Sequence, residues 1–115
     1  MGNPVVHFEI IGKDKKALEG FYGSVFDWKI DPLMEEYSLV TTGGIGGGIG
    51  GMNDERRHVT FYVAVDDVAA KLAEIEGKGG KKAFGPHPIP DGGIIAGFED
   101  PEGHLVGIVQ GPAGK

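Results

Sequence analysis

The chain reads as the same pattern written twice, and that constrains its fold more than any other feature. Residues 5–11 (VVHFEII) alternate with the period of two expected of a strand, so His7 and Glu9 share one face and Phe8 and Ile10 the other. Residues 58–63 (HVTFYV) do the same, with His58, Thr60 and Tyr62 on one face and Val59, Phe61 and Val63 on the other. The two histidines stand 51 positions apart. Each strand leads into a predicted helix. The first, over 14–26, has Ala17, Leu18, Phe21, Tyr22 and Val25 as its apolar face. The second starts at the capping pair Asp66-Asp67, runs to Glu76 on Val68, Leu72 and Ile75, and ends at Gly77, Gly79 and Gly80. Three more strands are predicted in each half, over 28–30, 36–42 and 44–51, then over 81–84, 93–99 and 104–110. Strand, helix, strand, strand, strand is thus written twice, as module one (4–51) and module two (58–111), joined by a polar linker (52–57). Neither half can hide both faces of its own sheet, so the 115 residues are expected to form one α+β domain whose halves share a cleft or core.

Composition narrows the function classes. Glycine is abundant, at 22 of 115 residues, against a usual share of about 7%. The glycines lack a three-residue period and are interleaved with isoleucine, valine and phenylalanine, which argues against both collagen and a flexible linker. Residues 44–51 therefore read as a glycine-rich strand that passes close to another backbone or to a ligand. The net charge of −6 and a single pair of arginines, Arg56 and Arg57, speak against a nucleic-acid partner. Cysteine is absent, which removes disulfides, thiolate metal sites and cysteine nucleophiles. No apolar run approaches the roughly 18 residues of a membrane span, and no basic segment leads into an apolar one at the start, so a cytoplasmic protein without a membrane partner is expected.

His7 and Glu9 stand about 7 Å apart on their strand face, and His58 occupies the corresponding place in module two. Imidazoles suit borderline metals, and a neighbouring carboxylate suits a ligand or an acid–base role; the competing reading is an ordinary hydrogen-bonded strand histidine. A third metal ligand is not evident. Residues 44–51 and 105–109 carry no donor side chain, which leaves Glu9 and Glu99. Gly46-Gly47-Gly48 lacks the Lys-Ser/Thr ending of a phosphate-binding loop. Tyr62 shares the His58 face and is a pocket candidate. Residues 84–93, stiffened by three prolines, read as a rim or lid.

Taken in order, several segments resemble the glyoxalase/bleomycin-resistance/extradiol-dioxygenase superfamily, the vicinal oxygen chelate fold. They are Val6-His7-Phe8-Glu9-Ile10, Phe21-Tyr22 with Val25-Phe26-Asp27-Trp28, His58 to Val63 with Val65-Asp66-Asp67-Val68, Gly79-Gly80, and Phe98-Glu99-Asp100-Pro101-Glu102-Gly103-His104. The resemblance covers nearly the whole chain and implies two tandem βαβββ modules in a curled mixed sheet around a cleft, helices outside, commonly in a homodimer. In metal-dependent members the ligands come from the first and last strands of both modules. His7 and His58 match the first-strand positions, whereas the last-strand positions fall on Gly107 and near Gly46 to Gly48. The resemblance thus implies a protein that binds a small organic molecule without a complete metal site. Its ligand-binding residues are His7, His58, Thr60, Tyr62, Gly47 and Gly107, with Glu9 as the catalytic candidate, and the glycines leave open space where donors would stand. Two alternatives remain. One is a lyase, isomerase or dioxygenase holding one divalent ion (Zn, Ni, Fe or Mn) on His7 and His58; the other is a dimeric scaffold without a ligand.

Overall fold

The computed structural model describes residues 2–51, 57–90 and 92–111. Most of the expected linker (52–56), and Asp91 in the expected rim, lie outside the described residues. The elements are β1 (Val5–Gly12), α1 (Lys15–Phe26), β2 (Lys29–Met34), β3 (Tyr37–Thr41), β4 (Gly47–Gly51), β5 (His58–Ala64), α2 (Val68–Gly77), β6 (Lys81–Pro88), β7 (Ile94–Glu99) and β8 (Leu105–Gln110). The tandem βαβββ reading is therefore borne out. The chain divides into two compact units: residues 7–60, and the residues up to 6 together with those from 61 onward.

In the first unit the strand order is β2-β3-β4-β1. Strands β1 and β4 run parallel with Glu9 opposite Gly48, and β2, β3 and β4 are successively antiparallel. Helix α1 begins where the Asp14 side chain accepts from the Ala17 N–H, and ends at Asp27, whose φ of 59° is left-handed. The core is Ile10, Val40 and Ile49, with Phe8, Leu18, Tyr22, Trp28 and Ile30 packed against it. Helix α1 buries none of its residues fully. A polar network adds to the packing of Leu18 and Tyr22: Lys15 Nζ donates to Glu19 Oε2 (2.6 Å) and to Ser38 Oγ (2.9 Å) on β3, and Ser38 is fully buried.

The second unit repeats the plan in the order β5-β8-β7-β6, with β5 and β8 parallel and Tyr62 opposite Gly107. Asp67 caps α2 by accepting from the Ala70 N–H, and Gln110 Oε1 accepts from the Val68 N–H at 2.6 Å. Val65, Val68, Leu72, Ala96 and Ile108 form the core.

Two sequence expectations need correction. The 28–30 strand does not close at Asp31-Pro32; it continues to Met34. Residues 84–88 are not part of a separate lid, because β6 runs on to Pro88, with His87 opposite Ile95 and Pro88 opposite Ile94. The reason is the same in both cases. Strands β2 and β6 are the outer strands of their four-stranded sets, where proline's missing N–H breaks no ladder bond. Irregular register around Phe84 absorbs the remaining mismatch.

Candidate functional site in the first unit

Alternation along β1 places His7 and Glu9 on one face, and Tyr37 at the start of β3 reaches the same place. His7 Nε2 lies 3.0 Å from the Tyr37 hydroxyl, which donates to Glu9 Oε2 at 3.1 Å. A phenol carries one proton. With that proton directed at Glu9, its oxygen accepts from His7, which fixes the His7 proton on Nε2. Burial pushes the His7 pKa below its ordinary value of 6.5, so the ring is neutral at neutral pH. The other Glu9 oxygen, Oε1, stands 3.7 Å from His58 Nε2, within ion-pair reach but too long for a hydrogen bond. The first unit thus brings together three of the residues expected from sequence, His7, Glu9 and His58.

Tyr37 was not among them, and the glycine run explains it. A Cβ on Gly48 would overlap the Tyr37 ring and hydroxyl, and one on Gly50 would come within 3.0 Å of Tyr37 Cδ1 and 2.8 Å of Ile11 Cδ1. The bare strand β4 is the bed on which the tyrosine lies. The signal in the sequence was an aromatic residue on a strand next to a strand of glycines, an arrangement that fills such gaps in sheets.

The remaining candidates fall elsewhere. Gly47 is covered by Phe8, since a Cβ there would come 2.5 Å from its ring. In the second unit Gly107 is covered by the Tyr62 ring, and Tyr62 itself is buried. The expected open space at these glycines is therefore corrected: aromatic rings fill it. Thr60 is buried on β5. Glu99 ends β7 opposite Leu105 and Lys81, outside the His7 cluster.

Among the described residues no group of three or more His, Cys, Asp or Glu side chains is placed to hold an ion. A metal-bound imidazole usually donates its second ring nitrogen to a carboxylate or carbonyl. His58 Nδ1 is buried and, among the described residues, has no hydrogen-bond partner. His7 Nε2 is already engaged by Tyr37.

Two modules of this topology, each βαβββ, with an imidazole–phenol–carboxylate cluster built from β1 and β3 of the first, define a class of tandem-module proteins. The chain belongs to the Glyoxalase/Bleomycin resistance protein/Dioxygenase superfamily, whose family model matches residues 5–108. No curated protein matches it. Among solved structures it is similar to a hypothetical protein from Bacillus halodurans C-125, with 14% identity, 96% of each chain covered and a TM-score of 0.74. It is also similar to Streptomyces coelicolor methylmalonyl-CoA epimerase in complex with 2-nitronate-propionyl-CoA (19% identity, 96% of this chain and 98% of that one, TM-score 0.66). A third likeness is the Mn(II)-bound glyoxalase from Novosphingobium aromaticivorans (20% identity, 94% of this chain but 38% of that one, TM-score 0.69).

Proposed function

We propose that the protein binds a small organic molecule on the face of β1 that carries His7 and Glu9, and that it does so without a metal ion. The observation that carries this reading is the Tyr37 hydroxyl seated between His7 and Glu9 above Gly48. It engages one ring nitrogen of His7 and leaves a polar lining of carboxylate, phenol and imidazole. The 3.7 Å interval between Glu9 Oε1 and His58 Nε2 suits a ligand hydroxyl or amide that donates to the carboxylate and accepts from the imidazole.

The test is a thermal-shift screen of aromatic and amphipathic compounds in the presence of a chelator. At least one compound should raise the melting temperature, as mass action requires of any ligand selective for the folded state. Glu9→Gln and Tyr37→Phe should each weaken that compound about tenfold, the scale expected for one hydrogen bond to a charged group. Near-stoichiometric Zn, Ni, Fe or Mn in protein exposed to each ion, lost in the His7→Ala/His58→Ala variant, would overturn the reading in favour of a metal-dependent enzyme.

We further infer that the protein works as a homodimer in the cytoplasm. Phe21, Val25 and Phe26 on α1 are each more than half exposed, and side by side they make an apolar surface of the kind that pairing covers. The absence of cysteine supports a reducing compartment. Light scattering should give twice the 12.1 kDa chain mass, and Phe21→Lys with Val25→Lys should return it to one chain. A wild-type protein that stays monomeric would sink the inference.

A further inference from the structure

We propose that the cavity between α1 and residues 57–59 of the first unit binds a small organic monocarboxylate with an aromatic or branched apolar body, at a place that adjoins the β1 site at His58 but does not include His7, Glu9 or Tyr37. The cavity holds about 500 Å³, within the usual range for small-ligand sites. Ile10, Leu18, Tyr22 and Val59 supply its apolar walls; His58, which faces Glu9 in the β1 site, also lines it, whereas His7, Glu9 and Tyr37 do not. Val59 is 72% exposed, the highest value among the large apolar side chains of the described residues.

Charge selects the occupant. The chain carries a net −6, so its surface in general repels anions. Here, however, Arg57 lines the cavity, and among the described residues the acid that lines it is Asp14. Asp14 is already committed, its Oδ1 accepting the Ala17 N–H that starts α1. Among the described residues no carboxylate lies within ion-pair distance of Arg57. A guanidinium presents paired N–H donors in the geometry of a carboxylate, and an exposed one at the rim of an apolar cavity suits a ligand that is apolar at one end and anionic at the other. A neutral ligand would leave Arg57 unused, and a dianion would bring its second charge against Asp14.

The probe is 4-phenylbutyrate, titrated calorimetrically into the full chain beside its neutral analogue 4-phenylbutan-1-ol. The acid should bind about tenfold more tightly than the alcohol, the scale of one charge-assisted pair. Arg57→Gln should erase that preference while leaving the alcohol unaffected. Ala17→Trp, an exposed helical position on the cavity wall, should fill the space and abolish binding of both. Tyr37→Phe, which alters the β1 cluster, should leave phenylbutyrate affinity unchanged, so failure here and failure of the proposed β1 site are read separately. Equal affinity for acid and alcohol, undiminished binding in Ala17→Trp, or no heat from the acid at about 10 mM, beyond the weakest ordinary specific affinities, would each overturn the proposal.

Discussion

Replacing Gly48 by alanine is expected to destabilise the protein by roughly 2–3 kcal/mol, the upper end for forcing one methyl group into a packed site. The added Cβ would coincide with the Tyr37 ring and hydroxyl. The ring has little freedom to retreat, because β3 and β4 are hydrogen-bonded partners with Leu39 opposite Gly48 and Tyr37 opposite Gly50. Swinging the phenol away would break its contacts to His7 and Glu9 together. The same change made on a Tyr37→Ala background should be nearly neutral, giving a coupling of roughly 2–3 kcal/mol between the two positions. Gly20→Ala serves as the control: its Cβ meets nothing within 4 Å on α1, so the helix should gain about 0.5–1 kcal/mol. Urea unfolding with an unchanged m-value reads all three. Should Gly48→Ala prove as mild as Gly20→Ala, Tyr37 does not rest where it is placed, and the proposed ligand face loses its central residue.

What the sequence conveyed and what it withheld follow from the range of each physical signal. Period-two alternation is local, so β1 and β5, with His7, Glu9 and His58 on the correct faces, were legible from a few residues each. The duplication was legible because the same local alternation opens both copies, at His7 and at His58, and the same order of elements follows. Tyr37 was not, because its role is set by which strand lies beside β3, and strand order is a property of the whole sheet. The glycines misled for the same reason. A bare strand position looks like open space in sequence, but Phe8 opposite Gly47 and Tyr62 opposite Gly107 fill it from the next strand. Strands β2 and β6 were read as too short because proline is a breaker inside a sheet and harmless on an outer strand, and nothing local distinguishes the two settings.

Lys15→Met is expected to cost about 2–3 kcal/mol, somewhat less than the roughly 3–5 kcal/mol of breaking a fully buried pair, because both charged side chains keep some contact with water. Lys15 and Glu19 are 15% and 19% exposed, which screens their attraction. Ser38 is fully buried and donates its hydroxyl proton to Glu19 Oε2 while accepting from Lys15. Removing the ammonium leaves a carboxylate and a buried hydroxyl sharing one proton between them. Gly51 shows how closely the lysine is fitted, since a Cβ there would lie 3.1 Å from Lys15 Cβ and 3.3 Å from its backbone nitrogen. The effect is large because α1 buries no residue fully, so this network adds substantially to the packing of Leu18 and Tyr22. It also carries a pH signature. The hydrogen bond from Lys15, followed by that from Ser38, holds the Glu19 carboxyl below its ordinary 4.5. A lowered folded-state pKa means stabilisation that is present above pH 4.5 and lost as pH falls through the lowered value. Wild-type stability should therefore decline below pH 4.5 more steeply than that of Lys15→Met, in which the carboxyl titrates closer to its unfolded value. A cost below about 0.5 kcal/mol, with parallel acid slopes, would mark the pair as an ordinary surface ion pair. The attachment of α1 would then have to come from its aromatic contacts, the stacking of Tyr22 on Trp28 at 5.5 Å foremost, and Trp28→Ala would become the more damaging change.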